Sequence, residues 1–115
     1  MSAEGGLSTL EYHVLLAMAG GSLYGYAIKE AVQAESRGAV VPRAGSLYRV
    51  MARLMSWGLV AEETPVGGVE PHPGRTRRYY ALTREGRGAL ADEAARLKGV
   101  ALLAERRLRI AGGRR

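Results

Sequence analysis

The sequence predicts a mainly α-helical domain that carries a β-ribbon and ends in one long helix. Three observations support this fold class. Apolar residues recur at helical spacing in three stretches of the N-terminal half. Two strand-like runs, 59–64 and 75–83, flank a segment rich in Gly and Pro at 65–74. Beyond Leu90, apolar residues follow intervals of four and three, as in a helix that packs along another helix.

The composition is that of one ordinary folded domain with an excess of positive charge. At 115 residues there is room for one modest core, and 47% hydrophobic with 24% charged residues is usual for a globular protein. The net charge is +6, and nearly all cations are arginine, whose planar guanidinium suits phosphate and guanine. We favour a polyanionic partner, although a general arginine bias of the genome would give the same composition.

Cysteine usage and hydropathy indicate the compartment. The chain contains no cysteine, which excludes disulfides and thiolate zinc sites and is typical of a reducing cytoplasm. No apolar run approaches the ~18 residues that a membrane-spanning helix needs. The N-terminus has an early acid and lacks the apolar region of a signal peptide. We therefore expect a cytoplasmic protein that makes no membrane contact.

The first two helices are predicted from capping residues and stop signals. Ser8 and Glu11 form an S-x-x-E capping box at the start of the first helix, and the Gly20-Gly21 pair ends it. Ser22 is expected to cap a second helix that runs to about Ser36. The segment 37–42 then interrupts the helices and has room for a two-residue strand.

The third helix begins after Pro42, is closed by Gly58, and has two contrasting faces. At ~100° per residue its apolar positions share one sector and are expected in the core. These positions are Leu47, Val50, Met51, Leu54 and Trp57. Its other side carries arginines, hydroxyls and small residues, and no acid occurs between Ser36 and Ala61.

The ribbon and the last helix complete the predicted order. Tyr80 and Leu82 lie on one face of the returning strand, and Thr83 caps a helix from Arg84 to about Ile110. Three helices followed at once by a ribbon are the winged helix-turn-helix arrangement. We predict a winged helix-turn-helix domain over residues 1–83, with a dimerisation helix and basic tail over 84–115.

The acid-free face of the third helix and the ribbon indicate duplex DNA as the partner. Arginine pairs bidentately with guanine, hydroxyls suit phosphate oxygens, and small residues let a helix enter a groove. A solvated face that happens to lack acids is the alternative, and an exposed tyrosine between arginines argues against it. The predicted DNA-binding residues are Arg43, Ser46, Tyr48, Arg49 and Arg53 on the helix, with Arg75 and Arg77 on the wing.

The last helix carries a seam of apolar and small residues that predicts a homodimer. Its intervals of 4, 3, 4, 3 and 4 place them on one stripe that is longer than one small domain needs. Packing within the same chain remains the alternative. Two copies would present two recognition helices to a pseudo-palindromic operator. The predicted dimer residues are Leu90, Ala94, Leu97, Ala101, Ala104 and Leu108.

Enzymatic function finds little support. The two histidines, His13 and His72, stand alone, and the segment around Ser46 lacks the G-x-S-x-G frame of a nucleophile elbow. There is no phosphate-binding loop and no metal-ligand spacing, so we predict no cofactor and no metal. A winged helix that contacts only protein or RNA is the remaining alternative, and it predicts no salt-steep binding to duplex DNA.

Three linked motifs resemble the PadR (phenolic acid decarboxylase regulator) family of bacterial transcription factors: LYGYAI, GSLYRVMARLMSWGLV and GRTRRYYALTREG, over residues 7 to about 90. The resemblance implies a winged helix-turn-helix repressor that dimerises through its C-terminal helix. It also implies that Ser46, Tyr48 and Arg49 face DNA and that Arg75 and Arg77 lie on the wing. One C-terminal helix is typical of the short subfamily. A small-molecule effector is possible, and the sequence identifies none.

Overall fold

A computed structural model of the chain describes residues 6–63 and 78–112, and side chains up to residue 110. The predicted order of helices and strands is confirmed, with one additional strand. The elements are α1 (Thr9–Ala17), β1 (Leu23–Tyr24), α2 (Gly25–Glu35), α3 (Ala44–Ser56), β2 (Val60–Glu63), β3 (Tyr79–Leu82) and α4 (Arg84–Gly112).

The start of α1 confirms the predicted capping box. Ser8 N donates to Glu11 Oε1 at 2.8 Å, and Glu11 N donates to Ser8 Oγ at 3.2 Å. These two bonds satisfy two backbone N–H groups, those of Ser8 and Glu11, that have no intrahelical partner at the start of the helix. The helix ends at Ala17, earlier than the predicted glycine pair, because the chain turns through Met18 before it reaches Gly20.

The predicted start of the second helix is wrong by two residues. Leu23 and Tyr24 form β1, which pairs antiparallel with β3 in the register Leu23 to Tyr80 and Tyr24 to Tyr79. The helix then begins at Gly25, with Tyr24 rather than Ser22 in the N-cap position. The reason lies in the tertiary structure. Pairing with the edge of β3 gives Leu23 and Tyr24 more backbone hydrogen bonds than a single side-chain cap at Ser22 would give.

The segment 37–42, which has room for a short strand by sequence, forms a turn at Arg37 and Gly38 and contains no strand. Arg37 has φ +53° and Gly38 has φ +79°, so the chain reverses at the end of α2. Ser36 Oγ accepts from Val40 N at 3.0 Å and fixes the turn. The chain therefore enters α3 from a local hydrogen-bonded turn and not from a sheet.

The sheet contains the predicted ribbon. Its strand order is β1-β3-β2, and β2 pairs with β3 from Val60 opposite Leu82 to Glu63 opposite Tyr79. The ribbon begins directly after α3, so the same short connection sets the position of both. This arrangement places the base of the wing beside the recognition helix.

The core lies where α1, α2, α3 and the sheet meet. The apolar stripe of α3 is buried as predicted, with Leu54 fully inaccessible and Trp57 half-buried at the end of the helix. The burial of four apolar α3 side chains leaves their opposite face free. The buried hydrophobic residues are Val14, Leu15, Met18, Ile28, Val32, Leu47, Val50, Met51, Leu54, Leu59 and Val60.

Thr83 joins the sheet to α4, as predicted. Its Oγ1 accepts from Gly86 N at 2.9 Å, and its backbone N donates to Leu59 O at 3.1 Å. The first turns of α4 pack on the core through Ala89 and Leu90. Beyond residue 95 every described side chain of α4 is exposed, and the longest dimension of the structure is 64 Å. The helix therefore extends well beyond the domain.

Candidate DNA-binding surface

The outward face of α3 carries the central part of the predicted surface. Tyr48 is 72% exposed, and Arg43 and Arg49 are exposed beside it, while Ser46 is half-buried. Arg49 Nη2 lies 3.5 Å from Ser46 Oγ, which is a weak contact, so the guanidinium can reorient towards a ligand. The first turn of α3 contains no acid. The structure thus brings these four residues together at the N-terminal half of one helix.

Arg53 has a different environment from the other α3 arginines. Its Nε donates to Glu11 Oε2 at 2.8 Å, and its guanidinium lies 5.8 Å from the centre of the Trp57 ring. The Arg53 side chain is 43% exposed, whereas that of Glu11 is 7% exposed. Arg53 is therefore held against the domain, and sequence reasoning did not find its partner.

A groove of about 890 Å³ lies between the start of α2, the exposed side of α3 and the sheet. Its walls are mostly apolar, and the exposed tyrosines Tyr26 (61%) and Tyr48 both line it. The lining residues are Tyr24, Gly25, Tyr26, Lys29, Ala44, Leu47, Tyr48, Met51, Ala52, Met55, Ser56, Glu62, Arg78 and Tyr80. The groove thus extends the α3 surface across to the ribbon.

The charged residues of the groove come from α2 and from the base of the wing. Lys29 lines it from α2, and Arg78 and Glu62 form an exposed ion pair at 3.5 Å across the ribbon. Burial raises the pKa of the Tyr80 phenol, and the nearby Glu62 carboxylate raises it further. Tyr80 is therefore a neutral hydroxyl that can donate or accept a hydrogen bond at neutral pH.

The groove adds residues that sequence reasoning missed. Tyr26 and Lys29 stand three positions apart at the start of α2, so they share one face. Their spacing is visible in the sequence, but only the tertiary structure shows that they line the same groove as Tyr48. The predicted wing residues Arg75 and Arg77 lie outside the described residues, so only the base of the wing at Arg78 is described.

The predicted dimer seam divides into two parts. Leu90 and Ala94 are half-buried where α4 covers its own domain, whereas Leu97 and Leu108 are 38% and 71% exposed. Val100 at 53% exposure extends the uncovered part. Ala101 and Ala104 complete it. The distal seam is thus an apolar face that has no cover within the described part of the chain.

His13 lies outside this surface. His13 Nδ1 lies 3.2 Å from Glu35 Oε1, between α1 and α2, and His72 falls outside the described residues. Within 6–63 and 78–112, no group of three His, Cys, Asp or Glu side chains could hold a metal ion. In the same ranges, no helix is long and apolar enough to cross a membrane.

The fold consists of three packed helices and an adjoining ribbon, and the third helix has one buried face and one cationic face. These features define a winged helix-turn-helix protein. The sequence profile of the transcriptional regulator PadR-like family matches residues 14–92. The chain belongs to this family of transcriptional regulators. No match was found among curated protein sequences.

Solved structures support the same fold. A PadR family transcription regulator from Clostridium difficile R20291 superposes with a TM-score of 0.72 at 22% identity, over 88% of this chain and 99% of that chain. A PadR-like transcription factor from Bacteroides fragilis gives 0.67 at 28% identity, over 84% and 87%. Bacillus subtilis PadR, in complex with operator DNA, gives 0.64 at 22% identity, over 76% of this chain and 47% of that chain.

Proposed function

We propose that this protein is a sequence-specific duplex-DNA-binding transcriptional repressor that acts as a homodimer on a pseudo-palindromic operator. The observation that carries the proposal is the exposed, acid-free face of α3, with Tyr48 and Arg49 on a helix whose opposite side is locked into the core. A rigid helix with this face fits the major groove. The Bacillus subtilis relative in complex with operator DNA supports the same use of the fold.

The residues divide into base-reading and backbone-binding groups. Tyr48 and Arg49 project from the middle of the exposed face, where side chains can reach base edges. Arg43 and Ser46 lie at the N-terminal end of α3, where free backbone N–H groups and the helix dipole favour a phosphate. We assign Arg75 and Arg77 of the wing to backbone phosphates or the minor groove.

The groove extends this contact to a neighbouring part of the DNA backbone. In helix-turn-helix proteins the helix before the recognition helix crosses the backbone. Tyr26 and Lys29 on α2, and Arg78 just before β3, line the groove with a hydroxyl and two cationic groups. A phosphodiester strand that passes between α3 and the wing would meet these three side chains.

The homodimer is supported by the uncovered part of α4. Leu97, Val100 and Leu108 are too exposed for a helix that serves one domain, and a second copy would remove their apolar surface from water. We propose that residues 1–83 form the DNA-binding domain and that residues 84–115 form the dimerisation helix and basic tail. Two-fold symmetry would place two α3 helices roughly 34 Å apart on one face of the duplex.

The experiment is a fluorescence-anisotropy titration of the full chain with duplexes taken from the region upstream of its own gene. The expected result is preferential binding to an inverted repeat over a scrambled duplex of equal composition, with affinity that falls steeply as salt rises. A reporter gene placed behind the bound repeat should lose expression when the protein is present. Equal, weak binding to all duplexes and to RNA would contradict operator recognition and favour a protein- or RNA-interaction module.

A further inference from the structure

Glu11 is a buried acid that binds two separate elements. Its side chain is 7% exposed, its Oε1 accepts from Ser8 N, and its Oε2 accepts from Arg53 Nε, each at 2.8 Å. The first bond caps α1, and the second reaches α3 from 42 positions away in the sequence. One carboxylate therefore joins the N-terminus of the first helix to the third turn of the recognition helix.

This contact is directional, unlike the packing that holds the rest of α3. Leu47, Val50 and Leu54 bury α3 against the core through apolar contacts that tolerate small rotations of a helix. A hydrogen bond between two charged groups is shorter, stronger and more sensitive to angle. A 10° rotation of α3 would move an outward side-chain atom by about 1 Å at the radius of a helix with its side chains.

Arg53 stands one helical turn after Arg49, so the two share a side of α3. The same rotation that breaks the Arg53 bond therefore displaces Arg49 and its neighbour Tyr48. Arg53 is also confined by the Trp57 ring, 5.8 Å from its guanidinium carbon. The guanidinium is thus placed between a carboxylate and an aromatic face at the inner edge of the proposed DNA-binding surface.

We propose that Glu11 is a positioning residue for DNA recognition, which acts through Arg53 to set the rotation of α3 about its axis. Arg53 then serves recognition by aiming Tyr48 and Arg49, rather than by reading a base itself. This inference rests on the proposed function, and it adds an acidic residue to a recognition surface whose charged residues on α3 are arginines. A carboxylate repels phosphate, so its charge by itself can only weaken binding to DNA.

The sign of that charge makes the test sharp. The Glu11→Gln variant keeps an oxygen that can accept from Ser8 N but loses the charge that binds Arg53. The positioning role predicts a roughly tenfold loss of preference for the operator over a scrambled duplex, the size expected for a hydrogen bond to a charged group. Binding to the scrambled duplex should stay equal or become tighter, because the protein gains one net positive charge.

The full set of variants separates positioning from direct contact. Arg53→Gln should lose the same preference as Glu11→Gln, and the double variant should lose no more than the larger single change, since both break one interaction. The slope of log affinity against log salt should stay at the wild-type value in the Glu11 variant. Ser8→Ala is the control, because it removes the capping-box hydroxyl and leaves the Arg53 bond intact.

Three results would overturn the inference. Unchanged preference in folded Glu11→Gln protein would remove the positioning role. An Arg53→Gln variant that binds both duplexes equally more weakly, with a salt slope lower by about 1, would make Arg53 a phosphate contact. An equal loss in Ser8→Ala would assign the effect to α1 stability. If Glu11→Gln does not fold, the operator preference and the salt slope of Arg53→Gln decide between positioning and direct phosphate contact. A wild type without any preference would instead contradict the proposed function.

Discussion

The α-carbon of Gly86, in the first turn of α4, lies directly against the backbone carbonyl of Leu59. A Cβ at Gly86 would stand 2.0 Å from the Leu59 carbonyl oxygen and 2.9 Å from its carbonyl carbon. The same carbonyl accepts from Thr83 N at 3.1 Å, so it cannot move away without loss of that bond. The junction between the sheet and α4 thus requires glycine at position 86, because no side chain fits there.

Gly86→Ala should destabilise the domain by about 1–3 kcal/mol or more, because the methyl group meets backbone rather than a flexible side chain. The control is Gly88→Ala in the same helix, where no heavy atom lies within 4 Å of the added carbon. That variant should gain up to about 1 kcal/mol from helix propensity. Chemical denaturation followed by circular dichroism measures both. Similar stability in the two variants would contradict the close approach.

Arg49→Ala and Tyr48→Ala should each weaken operator binding, with at least one relaxing base preference by about 1–3 kcal/mol. The reason is their exposure on the acid-free face of α3. Arg109→Ala is the charge-matched control, since Arg109 is exposed near the end of α4. Anisotropy titrations against operators with single base changes measure the effect. Two folded variants with wild-type affinity would remove α3 from the interface.

Arg75→Ala and Arg77→Ala should act on a different quantity. As proposed phosphate contacts of the wing, each loss should lower the slope of log affinity against log salt by about 1 and leave sequence preference nearly unchanged. Titrations at five salt concentrations on the operator and on a scrambled duplex measure both effects. A wild-type slope in the double variant would show that the wing does not bind the backbone.

Leu97→Asp should convert the proposed homodimer to monomers and abolish operator binding, because it buries a charge in the apolar seam at a cost of several kcal/mol. Leu102→Asp is the matched control. Leu102 is 51% exposed on the same helix, about 140° around the axis from Leu97, so its charge would remain in water. Light scattering at micromolar concentration measures the mass. A dimeric Leu97→Asp variant, or a monomeric wild type, would contradict the dimer.

Stability should depend on pH through the buried Glu93. Hydrogen bonds from the Arg96 guanidinium, one of them at 2.9 Å, lower the pKa of the Glu93 carboxyl below its ordinary value. A carboxylate with a lowered folded-state pKa stabilises the fold above its unfolded-state pKa, and this contribution is lost as pH falls through the folded-state pKa. Glu93→Gln should therefore cost stability near neutral pH, and its difference from wild type should shrink in acid. A constant difference in denaturation experiments between pH 7 and 3 would contradict this role.

Sequence patterns with a short range were sufficient for much of this fold. The capping box of Ser8 and Glu11, the apolar stripe of α3 and the cap at Thr83 each involve residues within a few positions of one another. Their geometry follows from helical periodicity and from the unsatisfied groups of a first turn, which a local sequence specifies. The exposed face of α3 follows for the same reason, since the buried stripe determines which side remains.

Tertiary structure alone decided the features that join distant parts of the chain. Leu23 and Tyr24 became β1 because the edge of β3 lies beside them, and Arg53 binds Glu11 across 42 positions. Gly86 meets Leu59 only because Thr83 places the start of α4 on the sheet. A local sequence pattern indicates which kinds of group a residue can bind, but it does not identify a partner that is distant in the sequence. Such a contact forms only when the chain between the two residues folds around the core.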